Sequence, residues 1–293
     1  MQILQIKNSI FKIFIELFVF DRRKRARIKA QWAKKHLKKY VENALRNIKY
    51  NNIDNKPANK IWIYWHQGVD KAPELIKKCI KSIKYYESDK EVNVLSFDNI
   101  SEYVDIPQHY YDLVNSEKMK IAHFSDILRL YLLEKYGGTW IDATIYLTAP
   151  LPKEITDSTF FAPRKDINTD NEENIMSCFF IAAKKGAKNI TALKSSLDLY
   201  WSENDFVINY FMFEHIATLL SSKSDLKEEW DNMPKLPAKD MGILQIKLFD
   251  RFDNDEFENI KRAVSLHKLS YKDVANHKKE NTYYERIVQG GML

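Results

Sequence analysis

The sequence predicts an α/β fold, with a mixed, mostly parallel sheet flanked by helices and further helices at the N-terminus. Three observations predict it. Short β-rich runs alternate with segments of helical apolar spacing through most of the chain, the pattern of strands joined by crossover helices. The 293 residues can bury a substantial core, and 45% of them are apolar. Seven glycines and eight prolines are too few for a fibrous or low-complexity architecture, and no repeat recurs at a solenoid or propeller period.

The first element is residues 10–20, "IFKIFIELFVF", apolar apart from Lys12 and Glu16. It is too short to span a bilayer, which takes about 20 apolar residues. It runs into Asp21 and a basic cluster where a signal peptide would carry small residues. Residues 21–49 hold twelve Lys/Arg against two acids, and residues 1–20 add one positive charge. The total is +6, so the remaining residues carry −5. The basicity is local, which suits an anionic membrane surface and argues against a nucleic-acid-binding domain. Trp32, Leu37, Tyr40, Val41, Ala44 and Ile48 recur at helical spacing among lysines. Residues 1–50 are therefore expected to be an apolar and basic helical segment lying on a membrane, its rival a pair of helices packed on the body or between copies. Residues 51–59, "NNIDNKPAN", form the expected linker, and residues 60–293 the main domain.

In the body, Lys60–His66 ("KIWIYWH") is the first strand, followed by a helix over Pro73–Tyr86 with proline in its first turn. Val92–Phe97 is the second strand, and short helices and turns fill the region from Ile100 to Val114. Lys120–Tyr136 is a strong helix, with Gly137 where a left-handed cap belongs. Thr139–Leu147 is the third strand. Phe160–Pro163 and Cys178–Ala183 read as further strands, Asn189–Tyr200 and Phe206–Ser221 as helices. Cys79 and Cys178 sit in apolar contexts without a CxxC or Cys/His pattern. They read as small core residues in a reducing compartment, not as a zinc site or disulfide.

One block demands chemistry. His123, Asp126 and Arg129 are three apart and project from one side of their helix. Trp140, Asp142 and Thr144 share one face of the strand that follows Gly137-Gly138. The tight turn brings both carboxylates toward one pocket, with Arg129 beside them. A charge inside a strand as apolar as "TWIDATIYL" needs a partner, and a divalent cation with a diphosphate would provide one. The alternative is an ordinary i,i+3 ion pair together with a carboxylate bonded to a neighbouring loop.

The block "AHFSDILRLYLLEKYGGTWIDATIYL" resembles the SD-x-x-R…YGG-x-x-x-D-x-D signature of nucleotide-sugar glycosyltransferases of the GT-A fold. Among these it is most similar to the capsular polysaccharide synthesis branch, whose relatives include outer-chain mannosyltransferases and glucosylating toxins. "KIWIYWHQGVDKAPELIKKCIKSI", "MSCFFIAAKKGAKNI", "VINYFMFEH" and "SLHKLSYK" resemble further pieces, so the likeness runs from Asn59 to Lys272. It implies a GT-A-like, Rossmann-type sheet. It also implies that Trp65, His66 and Gln67 border the nucleotide, and that Asp126 and Arg129 hold the donor sugar or its diphosphate. Asp142 would be the first carboxylate of the DxD metal motif, and His267 a late metal ligand or phosphate contact. Lys268, Tyr271 and Lys272 could touch phosphate, and Asn209 the acceptor; Glu214 and His215 read as ordinary helix residues. The chain departs from the signature at Thr144, which stands where the second metal-binding Asp belongs. Either the Mn²⁺ or Mg²⁺ is held more by Asp142, His267, water and diphosphate, or metal dependence is reduced.

The resemblance implies transfer of a hexose from a nucleoside diphosphate donor, a UDP-sugar, to a glycan hydroxyl in capsule or surface polysaccharide synthesis, with retention. The acceptor could be linked to polyprenyl diphosphate, which would suit a cytoplasmic enzyme peripheral to the inner face of the cell membrane. Two rivals remain: a sugar-phosphate or phosphoryl transferase of the same pathway, and a membrane-bound sugar-binding scaffold without catalysis.

Overall fold

The protein is described by a computed structural model over residues 2–290, apart from residues 55, 57, 58, 171 and 273. Two helices come first, α1 (Gln2–Phe18) and α2 (Arg22–Asn47). The body begins with β1 (Lys60–Tyr64), α3 (Glu74–Tyr86), β2 (Glu91–Leu95), α4 (Gln108–Asn115) and α5 (Ile121–Tyr136). It continues through β3 (Gly138–Ile141), β4 (Ile145–Leu147), α6 (Lys153–Thr156), β5 (Phe160–Phe161) and β6 (Phe180–Ala183). Helices α7 (Lys188–Glu203), α8 (Met212–Leu220), α9 (Ser224–Asp231), α10 (Ala238–Met241), α11 (Ile243–Ile246) and α12 (Asn254–Ala263) follow, then β7 (Leu266–Lys268) and α13 (Tyr283–Gln289).

Five strands form the main sheet in the order β2–β1–β3–β6–β5. β1 pairs parallel with β2 and β3, while β6 runs antiparallel to both β3 and β5. Four of the five strands therefore point the same way, the mixed and mostly parallel sheet that the alternation of elements predicts. β3 and β6 are buried at every position and β1 at all but its first, as strands covered on both faces must be. The register sets Trp62 beside Trp140, and Trp140 beside Ile181.

The glycine pair between α5 and β3 is forced by crowding. A Cβ on Gly137 would stand 2.7 Å from the Lys185 nitrogen, and one on Gly138 would stand 2.4 Å from the Lys60 carbonyl oxygen. The expected left-handed cap is corrected in detail: Gly137 has φ 70° but ψ −160°, an extended geometry open to glycine. Its N–H still closes the helix on the Leu133 carbonyl at 2.8 Å.

The expected third strand, Thr139–Leu147, breaks in two. After Ile141 the chain turns, with the Ile145 N–H donating to the Asp142 carbonyl at 2.9 Å. β4 then leaves the main sheet and pairs antiparallel with β7. Asp142 and Thr144 thus stand in a turn, not on one face of a continuous strand. The helix expected from Phe206 starts only at Met212. Asn209 intervenes, its Oδ1 accepting from the Phe211 N–H at 2.8 Å, a local bond that competes with helix.

α2 turns its apolar stripe inward. Ala33, Leu37, Tyr40 and Val41 join the main core, and Tyr40 Oη accepts from Asn204 Nδ2 at 2.7 Å. This helix is part of the body and does not lay its apolar side on a membrane. Residues 55, 57 and 58 of the expected linker lie outside the described residues. Beside them, Asp54 N–H donates to the Lys185 carbonyl at 2.8 Å.

Candidate active site

The carboxyl ends of β1 and β3 and the start of β6 meet at one edge of the sheet, the usual place for ligands in open α/β sheets. Asp126 and Arg129 reach this edge from the first turns of α5, and Asp142 from the turn after β3. Arg129 grips both acids: its guanidinium lies 3.1 Å from Asp126 Oδ1 and 3.5 Å from Asp142 Oδ1. It also donates to the Cys178 carbonyl at 2.8 Å and to the Ser125 carbonyl at 3.2 Å. The rings of Trp140 and Phe213 lie 5.0 and 5.4 Å from it. Burial alone would lower its pKa, but the Asp126 and Asp142 carboxylates outweigh that and hold it charged.

Asp142 is partnered, but by cations and an indole of the protein itself. Trp140 Nε1 donates to its Oδ1 at 2.9 Å, and the Lys268 ammonium stands 3.7 Å from its Oδ2. Lys268 also donates to the Thr144 hydroxyl. The Asp142 side chain is 29% exposed and that of Lys268 27%, so both can be reached from outside. Lys268 lines a cavity of about 1070 Å³ together with Ser177, Phe179, Arg164, Lys165 and Lys239. Another cavity, about 880 Å³, lies among Phe249, Arg251, Glu285 and Arg286, away from this chemistry.

Behind the two aspartates stands a third carboxyl. Glu214 is buried on α8, with the Cys178 thiol donating to its Oε1 at 3.1 Å. Burial, then Asp126, pushes its pKa up. Burial and then Glu214 push the Cys178 thiol up as well, so it is a hydrogen-bond donor and not a thiolate. His123 Nδ1 lies 3.5 Å from Asp126 Oδ2, and the exposed Tyr210 ring covers His123 at 5.6 Å. Glu214, Cys178 and Tyr210 were not legible as site residues by spacing. Glu214 nevertheless carries the signal that singled out Asp142, a carboxylate set among Met212, Phe213, Ile216 and Ala217.

The other expected site residues divide. Trp65 follows β1, packs edge-on against Tyr271 at 5.3 Å, and keeps a buried indole N–H without a partner. His66 is tied to the Tyr64 hydroxyl at 2.7 Å and lies 4.7 Å from the Phe97 ring; burial lowers its pKa, with Asp98 opposing. Gln67 and Lys272 are exposed. Asn209 is a turn former, as described above. His267 is not brought to the aspartates. Its ring is fully buried, its Nε2 lies 3.0 Å from the Thr148 hydroxyl, and burial lowers its pKa to about 4. Successive strand residues face opposite ways, so Lys268, not His267, points toward Asp142. His215 is likewise buried, with Nδ1 2.7 Å from Asn174 Oδ1.

As they stand, Asp142 and Thr144 are engaged by protein donors and offer a divalent cation no free ligand. Such cations take oxygen ligands, one or two carboxylates together with water and substrate phosphate. Here one half-exposed carboxylate has both oxygens facing N–H groups, the second motif position is a hydroxyl already engaged, and an ammonium stands between them. Among the described residues, no three His, Cys, Asp or Glu side chains are grouped to hold a metal ion.

The chain is 31% identical over 96 residues to the O-glycosyltransferase braB of Annulohypoxylon truncatum, a stretch that is 30% of this chain and 23% of that protein. The chain thus spans about a quarter of the length of that curated relative. Among solved structures it is similar to the PaToxG glycosyltransferase, with a TM-score of 0.37 and 18% identity over 82% of this chain and 94% of that one. The profile of the family described as capsular polysaccharide synthesis protein matches residues 15–287. That match takes in α2, the whole sheet and every residue of the Asp126–Arg129–Asp142 cluster, and the chain belongs to the capsular polysaccharide synthesis protein family.

Proposed function

We propose that this protein is a glycosyltransferase of the GT-A type that moves a hexose from a nucleoside diphosphate donor, a UDP-sugar, to a glycan hydroxyl. One observation carries the reading. Arg129 is clamped between Asp126 and Asp142 while Lys268 stands on the open side of Asp142, at the mouth of a cavity large enough for a nucleotide-sugar. Membership in a capsular polysaccharide synthesis family supports a role in building a surface glycan.

Breaking the glycosidic bond of such a donor leaves negative charge on the departing diphosphate. A cation fixed in advance beside that oxygen lowers the barrier, because it need not reorganise as charge develops. Lys268 has the charge, the exposure and the anchors, Thr144 and Asp142, to be that cation. Asp142, 29% exposed beside Lys268, can accept a sugar or ribose hydroxyl. Arg129 is too buried to meet the leaving group; it holds the two aspartates in position. Trp65, with its unpaired N–H, and the exposed Gln67 border the space expected for base and ribose. No residue is assigned as a covalent nucleophile, and retention of configuration rests on the family resemblance.

The test is a panel of nucleotide-sugars scored for hydrolysis and transfer with Mn²⁺, with Mg²⁺ and with chelator. The expected outcome is release of free nucleoside diphosphate that survives chelation. A phosphodiester product would instead mark a sugar-phosphate transferase. Pathway output unchanged by Asp142→Ala would mark a non-catalytic scaffold.

A further inference from the structure

α1 is an amphipathic helix mounted the wrong way round for a soluble protein. Its polar residues Asn8, Lys12 and Glu16 recur every four positions and so share a side, and that side is turned toward α2. Asn8 is buried, Lys12 is half-buried with its pKa lowered by burial and then by Lys29, and Glu16 pairs with Arg25 and Lys29. Ile15 is buried, and Phe11 stacks on Trp32 at 4.1 Å, so the helix is fastened to α2 and is not a loose tail. The opposite side carries Ile3, Ile6, Ile10, Ile13 and Leu17, flanked by Phe14 and Phe18. Each of these is more than half exposed, and Phe20, in the turn to α2, is 85% exposed. At 3.6 residues per turn they form a stripe more than about 100° wide.

A contiguous apolar patch of this size marks a surface built to be covered. The charge around it says by what. Arg22, Arg23 and Lys24, all exposed, come just after Phe20 and the N-cap Asp21, and Lys7 stands exposed on α1 itself. Residues 1–49 carry fourteen Lys/Arg against three acids. Two copies joined through this face would bring their cationic clusters together, whereas an anionic lipid surface would neutralise them. Among the described residues no helix is long and apolar enough to cross a membrane. We infer that α1 lies in the plane of an anionic membrane, its Ile/Leu/Phe stripe among the acyl chains and Arg22–Lys24 at the headgroups. α2, whose apolar side is spent in the core, is the strut that holds the catalytic body at the surface. This inference does not depend on the proposed reaction.

The full chain is sedimented with vesicles of phosphatidylcholine, with and without about one third phosphatidylglycerol. The expected result is sedimentation with the anionic vesicles and several-fold less with the neutral ones. Combined Ile6→Gln, Ile10→Gln and Phe14→Gln is expected to cut binding at least about tenfold with an unchanged melting temperature, since all three side chains are exposed. Combined Arg22→Gln, Arg23→Gln and Lys24→Gln is expected to abolish the preference for anionic vesicles. The inference is overturned if the native chain sediments with neither vesicle, or if the apolar variant binds as well as the native chain. It is also overturned if the native chain is a dimer in buffer that the apolar variant converts to monomer without loss of vesicle binding.

Discussion

Helix α5 carries a cluster of charge near each end, and the two are built on opposite terms. Near its C-terminus, Lys194 of α7 lies 3.2 Å from Glu134 and 3.2 Å from Asp198. Tyr110 and Tyr131 donate to Asp198 Oδ1 at 2.6 and 3.1 Å, and the Lys194 ammonium sits 4.2 Å from the Tyr131 ring centre. That cluster is closed, because each charge meets an opposite charge and further donors from the protein. Nearer its N-terminus, Asp126 and Asp142 flank Arg129, the buried Glu214 bonds to Cys178, and Lys268, 27% exposed, lines the cavity. That cluster is open. Charge alone does not mark a site; charge that borders a cavity, as Lys268 does, is the better marker.

The largest effects should separate the two clusters. Lys268→Met and Asp142→Asn are expected to lower transfer about 10²–10³-fold, the usual cost of losing a preorganised stabilising group. Both side chains are partly exposed, so stability should move by no more than about 1 kcal/mol. Lys194→Met should do the reverse. It leaves Glu134 and Asp198 without their cation and is expected to cost about 1.5–3 kcal/mol of stability, the worth of hydrogen bonds to charged groups, with turnover of the folded fraction unchanged. Thermal melts beside nucleoside diphosphate release check all three variants. If Lys268→Met unfolds the chain as readily as Lys194→Met, the contrast between open and closed is broken.

Much of the open cluster was legible before the fold was seen. Asp126, Arg129 and Asp142 could be placed together because a helix, two glycines and a short strand leave little freedom between them. The main sheet was legible because central strands are apolar runs bounded by turns. Two things were hidden by their dependence on distant pairing. Lys268 reaches Thr144 across 124 residues, through the β4–β7 pair, and nothing local says whether Lys268 or His267 faces the site. The break after Ile141 was hidden for the same reason, since "IDATIYL" continues a strand pattern while β4 joins a different partner. The orientation of α1 was hidden in another way. Periodicity reveals that a helix has two faces, not which of them the body takes.

A smaller effect sharpens the contrast from behind the site. His267 is buried on the closed side of β7, and its pKa falls from 6.5 to about 4. The folded chain thus holds a neutral imidazole that the unfolded chain protonates more readily. The stability this residue contributes is present above pH 6.5 and is lost as pH falls through about 4. The span corresponds to roughly 3 kcal/mol. His267→Gln can still bond Thr148 and cannot ionise, so its acid unfolding should be shallower. His215, lowered to about 3, keeps part of the slope. Glu214 has the opposite sign: its raised pKa gives stability that is full below the ordinary carboxylate range and lost as pH rises through the raised value. Glu214→Gln should therefore stabilise the chain at neutral pH. Urea titrations across pH check both, and a His267→Gln slope equal to that of the native chain would show that the imidazole is not held neutral.

The smallest effect tests the edge of the open region. Trp65 keeps its indole N–H buried and unpaired while its ring packs on Tyr271. The indole nitrogens of Trp32, Trp201 and Trp230 are buried and unpaired as well, so a substitution is what distinguishes Trp65 as a ligand contact. Trp65→Phe keeps most of the ring packing and removes the donor. If a nucleotide base or ribose accepts that bond, KM for the donor should rise by about 5–10-fold, the worth of one neutral hydrogen bond. Turnover at saturation should stay the same, because the contact is made equally in the ground and transition states. The free protein should meanwhile be slightly more stable, since the orphan donor is gone. A variant with unchanged KM and higher stability would mark Trp65 as part of the closed structure and move the nucleotide away from the end of β1.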